Sequence, residues 1–238
     1  MKCYIINLDR APERMQRMSD LMRSHTIDFV RCSAVDGKNF TEDEILYYRS
    51  RRNQGKPLTV GEIACSESHM LAYMQILEGA DEYAVVMEDD LHLSEDVGDF
   101  INCTEWIPEG AELIKIETVD EPTLLSAHLI DAKNNRKLGR LSYKHWGSGA
   151  YVISISAAKR MLDEYSPGST PIDDYLFDPS VTSFSGVVTL SFFSRKGQGL
   201  SIFRRDRPQF SMHRKLRGDG IELFVRLAGG TELKSNCG

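Results

Sequence analysis

Three consecutive carboxylates, Glu88, Asp89 and Asp90, directly follow the apolar run 83–87. Like charges this close repel each other and raise one another's pKa values, and a bound divalent cation removes that cost. On an extended chain alternate side chains share a face, so Glu88 and Asp90 can point together. Oxygen ligands favour Mg²⁺ or Mn²⁺, ions that commonly share their coordination with substrate phosphates. The triplet therefore predicts a Mn²⁺ or Mg²⁺ site, with a solvated acidic loop as the alternative.

Two groups later in the chain also carry residue types suited to chemistry. His145, Trp146 and Gly147 combine a titratable ring, a flat apolar ring and a flexible residue. An aromatic ring can stack on the face of a sugar, although a buried core tryptophan is equally ordinary. Asp173 lies on a short predicted helical turn. There it could act as a general base toward a hydroxyl, or be an exposed acid at a helix N-terminus.

The cysteines give weaker signals. All five are widely spaced, at positions 3, 32, 65, 103 and 237, and none forms a C-x-x-C pair. This spacing predicts reduced, mostly buried thiols, and neither a zinc site nor a disulfide framework. Cys65 and His69 lie four residues apart and could act as nucleophile and base. Because nothing nearby in the sequence supplies an oxyanion hole or an orienting carboxylate, we disfavour that interpretation.

The sequence contains no nucleotide-phosphate loop. It has no G-x-x-x-x-G-K-[ST] motif, and Gly147-Ser148-Gly149 lacks the third glycine of the dinucleotide fingerprint and precedes a predicted strand. A phosphate-bearing substrate must therefore be neutralised mainly by a metal and by side chains.

The elements that must position these residues alternate between strands and helices, which predicts an α/β layer fold. Strands are predicted at 3–8, 29–34, 83–87, 113–117, 127–131, 137–142, 150–154 and 187–193, and helices at 13–23, 61–78, 156–165 and, as one turn, 171–177. The triplet then lies at the carboxyl edge of the sheet, where ligands of open α/β sheets bind.

The helix 61–78 has the clearest start signal in the chain. Thr59 is the predicted N-cap and Glu62 completes a capping box. The predicted apolar stripe runs through Ile63, Met70, Met74 and Leu77, while Ser66, Ser68 and His69 offer polar groups.

Composition sets the class of protein. The chain has 238 residues, 41% hydrophobic and 27% charged, with a formal net charge of −6. These values exclude a disordered or low-complexity polymer. No apolar stretch approaches the ~20 residues that span a bilayer, and the N-terminal apolar run is too short for a secretory signal. We expect one large domain in the cytosol.

Positive charge is concentrated in two segments. The polar, basic segment 49–57 is expected to be a mobile loop. The segment 195–217 has eight basic residues against the single acid Asp206. It could contact anionic lipid or a phosphorylated acceptor, or be inert surface; nucleic acid is disfavoured because the acidic remainder would repel phosphates. The expected organisation is a catalytic domain over 1–194 and a basic subregion over 195–238 packed on or beside it.

The ordered set of motifs resembles glycosyltransferase family 25, the lipooligosaccharide galactosyltransferases of Gram-negative bacteria. The resemblance extends over about residues 3–177. The motifs are Ile5-Ile6-Asn7-Leu8-Asp9-Arg10 with Arg14, Ala34-Val35-Asp36-Gly37, Gly61-Glu62-Ile63-Ala64-Cys65 with Ser68-His69, Val86-Met87-Glu88-Asp89-Asp90, Ile116-Glu117-Thr118, His145-Trp146-Gly147-Ser148-Gly149-Ala150-Tyr151 and Pro171-Ile172-Asp173. One departure is Ala64, where the family commonly has glycine.

This resemblance implies a fold of the GT-A type, with a single Rossmann-like mixed sheet flanked by helices. The acidic triplet is then the counterpart of the D-x-D motif: Asp90 coordinates the metal, and Glu88 or Asp89 helps to hold the metal or the ribose. The residues implied to bind the donor are Asn7, Leu8, Arg10, Arg14, Gly61, Glu62, Ser68 and His69. The residues implied for the donor sugar or the acceptor are Glu117, His145, Trp146 and Gly147.

The implied reaction is transfer of a hexose, galactose from UDP-galactose, onto a hydroxyl of a lipid-linked lipooligosaccharide or lipopolysaccharide, in β-1,4 linkage and with inversion. Inversion requires in-line attack, so the base lies across the sugar from the diphosphate, and Asp173 is the candidate. Mn²⁺ or Mg²⁺ would balance charge on the departing UDP. Closure of the 49–57 loop would exclude water. The implied location is the cytoplasm, with peripheral contact to an anionic inner membrane through 195–217 as an option.

Three alternatives stay open. The same fold could use UDP-glucose or a UDP-N-acetylhexosamine. The chain could be a non-catalytic sugar-binding or adhesion relative, against which the intact triplet argues. It could also be a metal-dependent phosphohydrolase that uses the carboxylate cluster. The oligomeric state is left open.

Overall fold

The computed structural model describes residues 1–52, 55–118 and 124–184, and the strand segments 188–191, 203–204, 211–217 and 220–226. Strands are β1 Lys2–Asn7, β2 Phe29–Ser33, β3 Tyr83–Glu88, β4 His92–Leu93, β5 Leu113–Lys115, β6 Glu117–Thr118, β7 Leu125–Asp131, β8 Lys137–Leu141, β9 Ala150–Ser154, β10 Val188–Ser191, β11 Phe203–Arg204, β12 Ser211–Arg217 and β13 Gly220–Arg226. Helices are α1 Pro12–Ser24, α2 Glu42–Ser50, α3 Val60–Leu77, α4 Val97–Ile101, α5 Ile155–Glu164 and α6 Ile172–Phe177.

A mixed eight-stranded sheet forms the centre of the molecule, in the order β2-β1-β3-β9-β5-β10-β8-β7. Strand β1 is parallel to both β2 and β3. Strand β9 then runs antiparallel to β3 and to β5. The predicted α/β class, with one mixed sheet flanked by helices, is confirmed. The parallel pair β1 and β3 brings the ends of both strands, and the polar residues that follow them, to one edge of the sheet.

Alternation along the central strands divides the core between the two faces of the sheet. On β1, Cys3 and Ile5 pack with Met18 and Met22 of α1. The intervening Tyr4 and Ile6 belong to a second cluster, which contains residues of α3 and α5. Helices therefore cover both faces, and strand β1 is buried on each side.

Helix α3 begins as predicted. The Thr59 hydroxyl accepts from the Glu62 amide at 3.2 Å, and the Glu62 carboxylate accepts from the Thr59 amide at 2.7 Å. The predicted apolar stripe is wrong in its second half, because the Met74 and Leu77 side chains are 46% and 37% exposed. The buried face instead carries Ser66, Ser68, His69, Ala72, Tyr73 and Ile76. The serines, His69 and Tyr73 can be buried on this face because most of their polar atoms have hydrogen-bond partners in the fold.

The predicted 49–57 loop is wrong at its start. Helix α2 extends to Ser50, and its N-terminus has a capping box formed by Thr41 and Glu44. After the helix, the Arg52 guanidinium donates to the Ser169 carbonyl at 2.8 Å. Arg52 is thus attached to the segment that leads into α6. Residues 53–54 lie outside the described residues.

The predicted strand 113–117 is interrupted at Ile116. Its first part, β5, belongs to the main sheet, whereas β6 forms a small sheet with β4 and β11.

Much of the basic segment 195–217 lies outside the described residues; within it only strands β11 and β12 are described, and β12 pairs with β13 as an antiparallel hairpin. The boundary between 1–194 and 195–238 stays a prediction. No helix in the described ranges has the length and apolarity needed to cross a membrane.

The sequence predicts mostly buried thiols, and among the described residues this holds for two of four cysteines. Cys3 and Cys32 are buried, Cys65 and Cys103 are half-buried, and none of these four forms a disulfide. Burial raises the pKa of the Cys32 thiol to about 12. Cys237 lies outside the described residues.

Candidate active site

Asp89 has a structural role at the carboxyl edge of the sheet. Because β1 and β3 are in parallel register, with Ile6 opposite Glu88, Asn7 and Asp89 lie side by side. The Asn7 amide donates to one Asp89 oxygen at 2.7 Å, and the Arg14 guanidinium donates to the other at 3.1 Å. Asp89 is 6% exposed. These contacts fix the carboxylate, so Asn7 and Arg14 act on the triplet through Asp89.

Strand β3 ends at Glu88, and Asp89 and Asp90 lie in the turn that follows it, so the strand alternation expected from the sequence does not extend to Asp90. The Glu88 side chain is 21% exposed, and its Oε1 lies 3.4 Å from the Ser148 hydroxyl. Asp90 is exposed. Two oxygen ligands at an accessible strand end fit a Mg²⁺ or Mn²⁺ ion that completes its coordination with phosphate and water. The carboxylates of Glu88 and Asp90, rather than that of Asp89, are suited to hold it.

The segment 145–149 connects the triplet to β5 and β6. The Gly149 carbonyl accepts from the Glu88 amide at 2.8 Å, and the Gly149 amide donates to Glu117 Oε2 at 2.6 Å. A Cβ on residue 149 would lie 2.7 Å from a Glu117 oxygen, so a larger residue there would have to displace the Glu117 carboxylate. Gly147 has φ of 87°, a left-handed conformation that favours glycine. Both glycines thus suit the path of this segment.

Lys115 is a functional candidate that the sequence analysis missed. Its ammonium group is fully buried, lies 3.4 Å from Glu117 Oε2, donates to the Gly147 carbonyl and lies 4.4 Å from the centre of the Phe177 ring. The sequence does contain a signal for this pair. Lys115 lies two residues before Glu117 in a predicted apolar strand, and residues two apart on a strand place their side chains on the same face. Lys115 and Glu117 thus hold the segment 145–149 through hydrogen bonds to Gly147 and Gly149.

Asp173 contacts the same segment from α6. One of its oxygens accepts from the Gly147 amide at 3.0 Å, and the other accepts from the Asp174 amide at 3.1 Å. The Asp173 side chain is half-buried. The segment 145–149 therefore contacts Asp173 through Gly147 and Glu88 through Gly149.

Trp146 provides an exposed aromatic surface next to Asp173. Its side chain is 51% exposed, and the Lys144 ammonium lies 3.6 Å from the centre of its ring. Lys144 also forms an ion pair with Asp174, whose pKa is raised, mainly by burial. The ring is therefore held in place by a cation on one side.

The other predicted donor residues are engaged in contacts that shape the edge of the site. The Leu8 carbonyl accepts from the Ala11 amide at 2.9 Å, and Arg10 forms an ion pair with Asp36 at 2.6 Å. The buried Ser68 hydroxyl accepts from the Val35 amide at 2.9 Å. Gly61 and Glu62 are exposed at the start of α3, and the Glu62 carboxylate caps that helix. Donor contacts by these residues stay predictions.

His69 belongs to a buried chain of polar rings. Its Nδ1 lies 2.7 Å from the Tyr151 hydroxyl, which lies 2.5 Å from the Tyr73 hydroxyl. Its Nε2 lies 4.0 Å from Glu88 Oε1. The sequence predicted His69 at the site but gave no sign of its tyrosine partners, which come from distant parts of the chain.

The model of glycosyltransferase family 25, described as an LPS biosynthesis protein, matches residues 1–176. That range includes every predicted site residue. The chain belongs to glycosyltransferase family 25. The predicted resemblance and the enzyme class, a glycosyltransferase, are confirmed.

Curated relatives of this family 25 chain are named for lacto-N-neotetraose biosynthesis, for lipooligosaccharide biosynthesis or as a procollagen galactosyltransferase. The lacto-N-neotetraose biosynthesis glycosyltransferase LgtB of Neisseria meningitidis serogroup B is 26% identical, and the match covers 83% of this chain and 70% of that protein. The lipooligosaccharide biosynthesis protein lex-1 of Haemophilus influenzae is 32% identical, covering 46% and 38%. Procollagen galactosyltransferase 1-B of Xenopus laevis is 29% identical, covering 73% and 30%. This chain therefore corresponds to less than half the length of the last two proteins.

Among solved structures, a glycosyltransferase involved in the glycosylation of the major capsid of PBCV-1 is similar to this family 25 chain. The sequence identity is 11% and the TM-score is 0.37, and the match covers 79% of this chain and 80% of that one.

His145 is a buried imidazole whose protonation is expected to destabilise this family 25 enzyme in acid. The ring is 2% exposed and neither nitrogen has a hydrogen-bond partner. Burial, with a smaller effect of the Lys115 charge, lowers the pKa of His145 to about 3. The unfolded chain, with a histidine pKa near 6.5, takes up a proton below that pH that the folded chain does not. Stability from neutral His145 is thus present above pH 6.5 and lost as the pH falls toward 3.

We therefore expect His145→Phe to flatten the acid limb of the stability profile. Between pH 7 and pH 5 the free energy of unfolding should fall by about 2 kcal/mol more in the wild type than in the variant. Urea titrations of both proteins at the two pH values measure this difference. An equal fall in both proteins would show that His145 takes up its proton without unfolding.

Proposed function

We propose that this chain is an inverting, metal-dependent hexosyltransferase that moves galactose from UDP-galactose onto a sugar hydroxyl of a lipooligosaccharide or lipopolysaccharide acceptor, in β-1,4 linkage. The observation that carries the proposal is the segment 145–149, which contacts both Asp173 and Glu88. A transferase needs a charge-neutralising group for the leaving diphosphate and a base for the acceptor, and here one short segment connects a candidate for each.

The names of the relatives support the choice of substrates. LgtB is a lacto-N-neotetraose biosynthesis glycosyltransferase, lex-1 is a lipooligosaccharide biosynthesis protein, and the collagen enzyme is a galactosyltransferase. Galactose is therefore the proposed sugar and a bacterial surface glycan the proposed acceptor. A lipid-linked acceptor also supports the proposed peripheral contact of the basic segment 195–217 with an anionic inner membrane.

Different residues have different roles at the proposed donor site. Mn²⁺ or Mg²⁺ bound by Glu88 and Asp90 would act as a Lewis acid that balances negative charge on the departing diphosphate. Asp89, Asn7 and Arg14 hold the strand end that presents those carboxylates. The exposed Arg10 side chain adds positive charge at the same edge.

At the proposed acceptor site, Asp173 is the general base. Its carboxylate is held by the Gly147 and Asp174 amides, so its orientation is fixed before the acceptor binds. In our proposal it removes the proton of the attacking hydroxyl, while Trp146 supplies a flat surface for the acceptor sugar. Arg52, through the Ser169 carbonyl, supports the segment that leads to Asp173.

A donor panel tests the choice of sugar. The full chain with Mn²⁺ and a lactose- or glucosamine-like acceptor is offered UDP-galactose, UDP-glucose and UDP-N-acetylhexosamines, and the product is analysed by NMR. We expect a β-linked galactoside from UDP-galactose. A product from UDP-glucose or an N-acetylated donor alone would reassign the sugar, and an α-linked product would exclude inversion.

Trp146→Ala should weaken acceptor binding with little effect on the donor. Loss of one aromatic stacking surface costs about 1 kcal/mol, which raises the acceptor KM roughly fivefold. Steady-state kinetics with varied acceptor measure this, with Trp146→Phe as the control that keeps an aromatic ring. A larger effect on the KM for UDP-galactose than on that for the acceptor would place Trp146 at the donor instead.

A further inference from the structure

Cys65 and His69 face Glu88 across the interface between α3 and the end of β3. The two helical residues are four positions apart and so lie on one face of α3. The sulfur, ring nitrogen and carboxylate oxygen of these three side chains all lie within 4.8 Å of one another. We propose that they bind a thiophilic divalent cation of the Zn²⁺ class, separate from the oxygen-ligated ion proposed at Glu88 and Asp90.

His69 is poised to be a ligand. The ring is fully buried, its Nδ1 lies 2.7 Å from the Tyr151 hydroxyl, and its Nε2 has no hydrogen-bond partner. If Tyr151 donates its proton to the Tyr73 hydroxyl, 2.5 Å away, it accepts one from Nδ1. That arrangement leaves a lone pair on Nε2, which lies 4.0 Å from Glu88 Oε1. A metal-bound histidine characteristically donates its other ring N–H in this way.

The ligand set selects the metal. A thiolate and an imidazole favour zinc over the hard ions Mg²⁺ and Mn²⁺. Zinc bonds of about 2.0–2.3 Å place tetrahedral ligands about 3.5 Å apart. The distances between the three ligand atoms must therefore shorten by about 1 Å, which requires movement of the half-buried Cys65 and the partly exposed Glu88. Three protein ligands leave a fourth position for water or another ligand.

The four-residue spacing of Cys65 and His69 indicates two of the ligands, but the sequence does not indicate the complete site. The cysteines contain no C-x-x-C pair, and the third ligand comes from a different element. Glu88 belongs to both metal sites, so zinc held by Cys65 and His69 would compete with Mn²⁺ for this carboxylate. That competition rests on the proposed function, whereas zinc binding itself does not.

Cobalt binding tests the site without donor or acceptor. Co²⁺ replaces Zn²⁺ in such sites, and a thiolate bound to it gives a charge-transfer absorption in the near ultraviolet. The metal-stripped full chain should bind one Co²⁺ with this absorption, and added Zn²⁺ should abolish it. Cys65→Ser should remove the absorption and weaken Zn²⁺ binding at least about tenfold, while Cys103→Ser, which alters another half-buried thiol, should retain both. No absorption in the wild type, or an absorption that survives in Cys65→Ser, would overturn the proposal.

Thiol protection gives a readout that needs no variant. Zn²⁺ should slow alkylation of Cys65 in the wild-type chain at least about tenfold and leave the alkylation of Cys103 unchanged, as measured on the two peptides by mass spectrometry. Equal rates at Cys65 with and without Zn²⁺ would contradict the site. Because the assay contains no sugar nucleotide, a failure of transfer and a failure of zinc binding are separate results.

Discussion

Asp173→Asn should lower the rate of sugar transfer by about 10²–10⁴-fold, the range associated with loss of a general base. The amide that replaces the carboxylate keeps an oxygen that can accept from the Gly147 amide, which now donates at 3.0 Å. The 145–149 segment should therefore keep its path. We expect kcat to fall while the affinity for UDP with Mn²⁺ remains within about twofold.

The neighbouring acid Asp174 provides a matched control for this result. Asp174 forms an ion pair with Lys144, and Asp174→Asn should reduce transfer much less than Asp173→Asn. Steady-state kinetics and calorimetric titration with UDP measure the two effects. Loss of UDP binding in Asp173→Asn would move this residue to the donor site, and similar losses of kcat in both variants would remove its role as base.

Lys115→Met should destabilise the protein by about 3–5 kcal/mol. The substitution leaves the buried Glu117 carboxylate without its ammonium neighbour, and breaking a buried ion pair from one side costs this much. It also removes the donor to the Gly147 carbonyl. We therefore expect lower transfer at temperatures where the variant is still folded. Urea unfolding monitored by circular dichroism measures the change in stability.

Two further variants separate burial from charge. Lys115→Met combined with Glu117→Gln removes both charges and should recover much of the lost stability. Lys159→Met removes an exposed lysine that pairs with Asp163 at 2.6 Å, and should change the free energy of unfolding by less than about 1 kcal/mol. If Lys115→Met and Lys159→Met changed the free energy of unfolding equally, the proposed stabilising role of the buried Lys115–Glu117 ion pair would be wrong.

Local signals in the sequence were sufficient for several parts of the fold. Thr59 and Glu62 marked the start of α3, because a capping box depends only on neighbouring residues. The apolar run 83–87 marked the buried strand β3, which ends at Glu88. Thr41 and Glu44 carry the same signal for the start of α2, but the polar, basic residues 49–57 are typical of a loop and hide the end of that helix.

Contacts between distant residues could not be predicted in the same way. The bond from Asn7 to Asp89 depends on the parallel register of β1 and β3, and register is set by the whole sheet. The exposure of Met74 followed from the way α3 packs, with its serines and His69 inward. The sequence shows that a residue is polar, but tertiary structure decides whether it is buried with a partner.

Acceptor-dependent release of UDP tests the central claim most directly. The wild-type chain is incubated with UDP-galactose and Mn²⁺, with and without a lactose- or glucosamine-like acceptor, and UDP and inorganic phosphate are both measured. A transferase should release UDP mainly when the acceptor is present, with one glycoside formed per UDP and no phosphate. Phosphate release from simple phosphoesters without acceptor would indicate a phosphohydrolase. No UDP release with any UDP-sugar, together with UDP binding that Mn²⁺ does not strengthen, would indicate a non-catalytic relative and contradict the account.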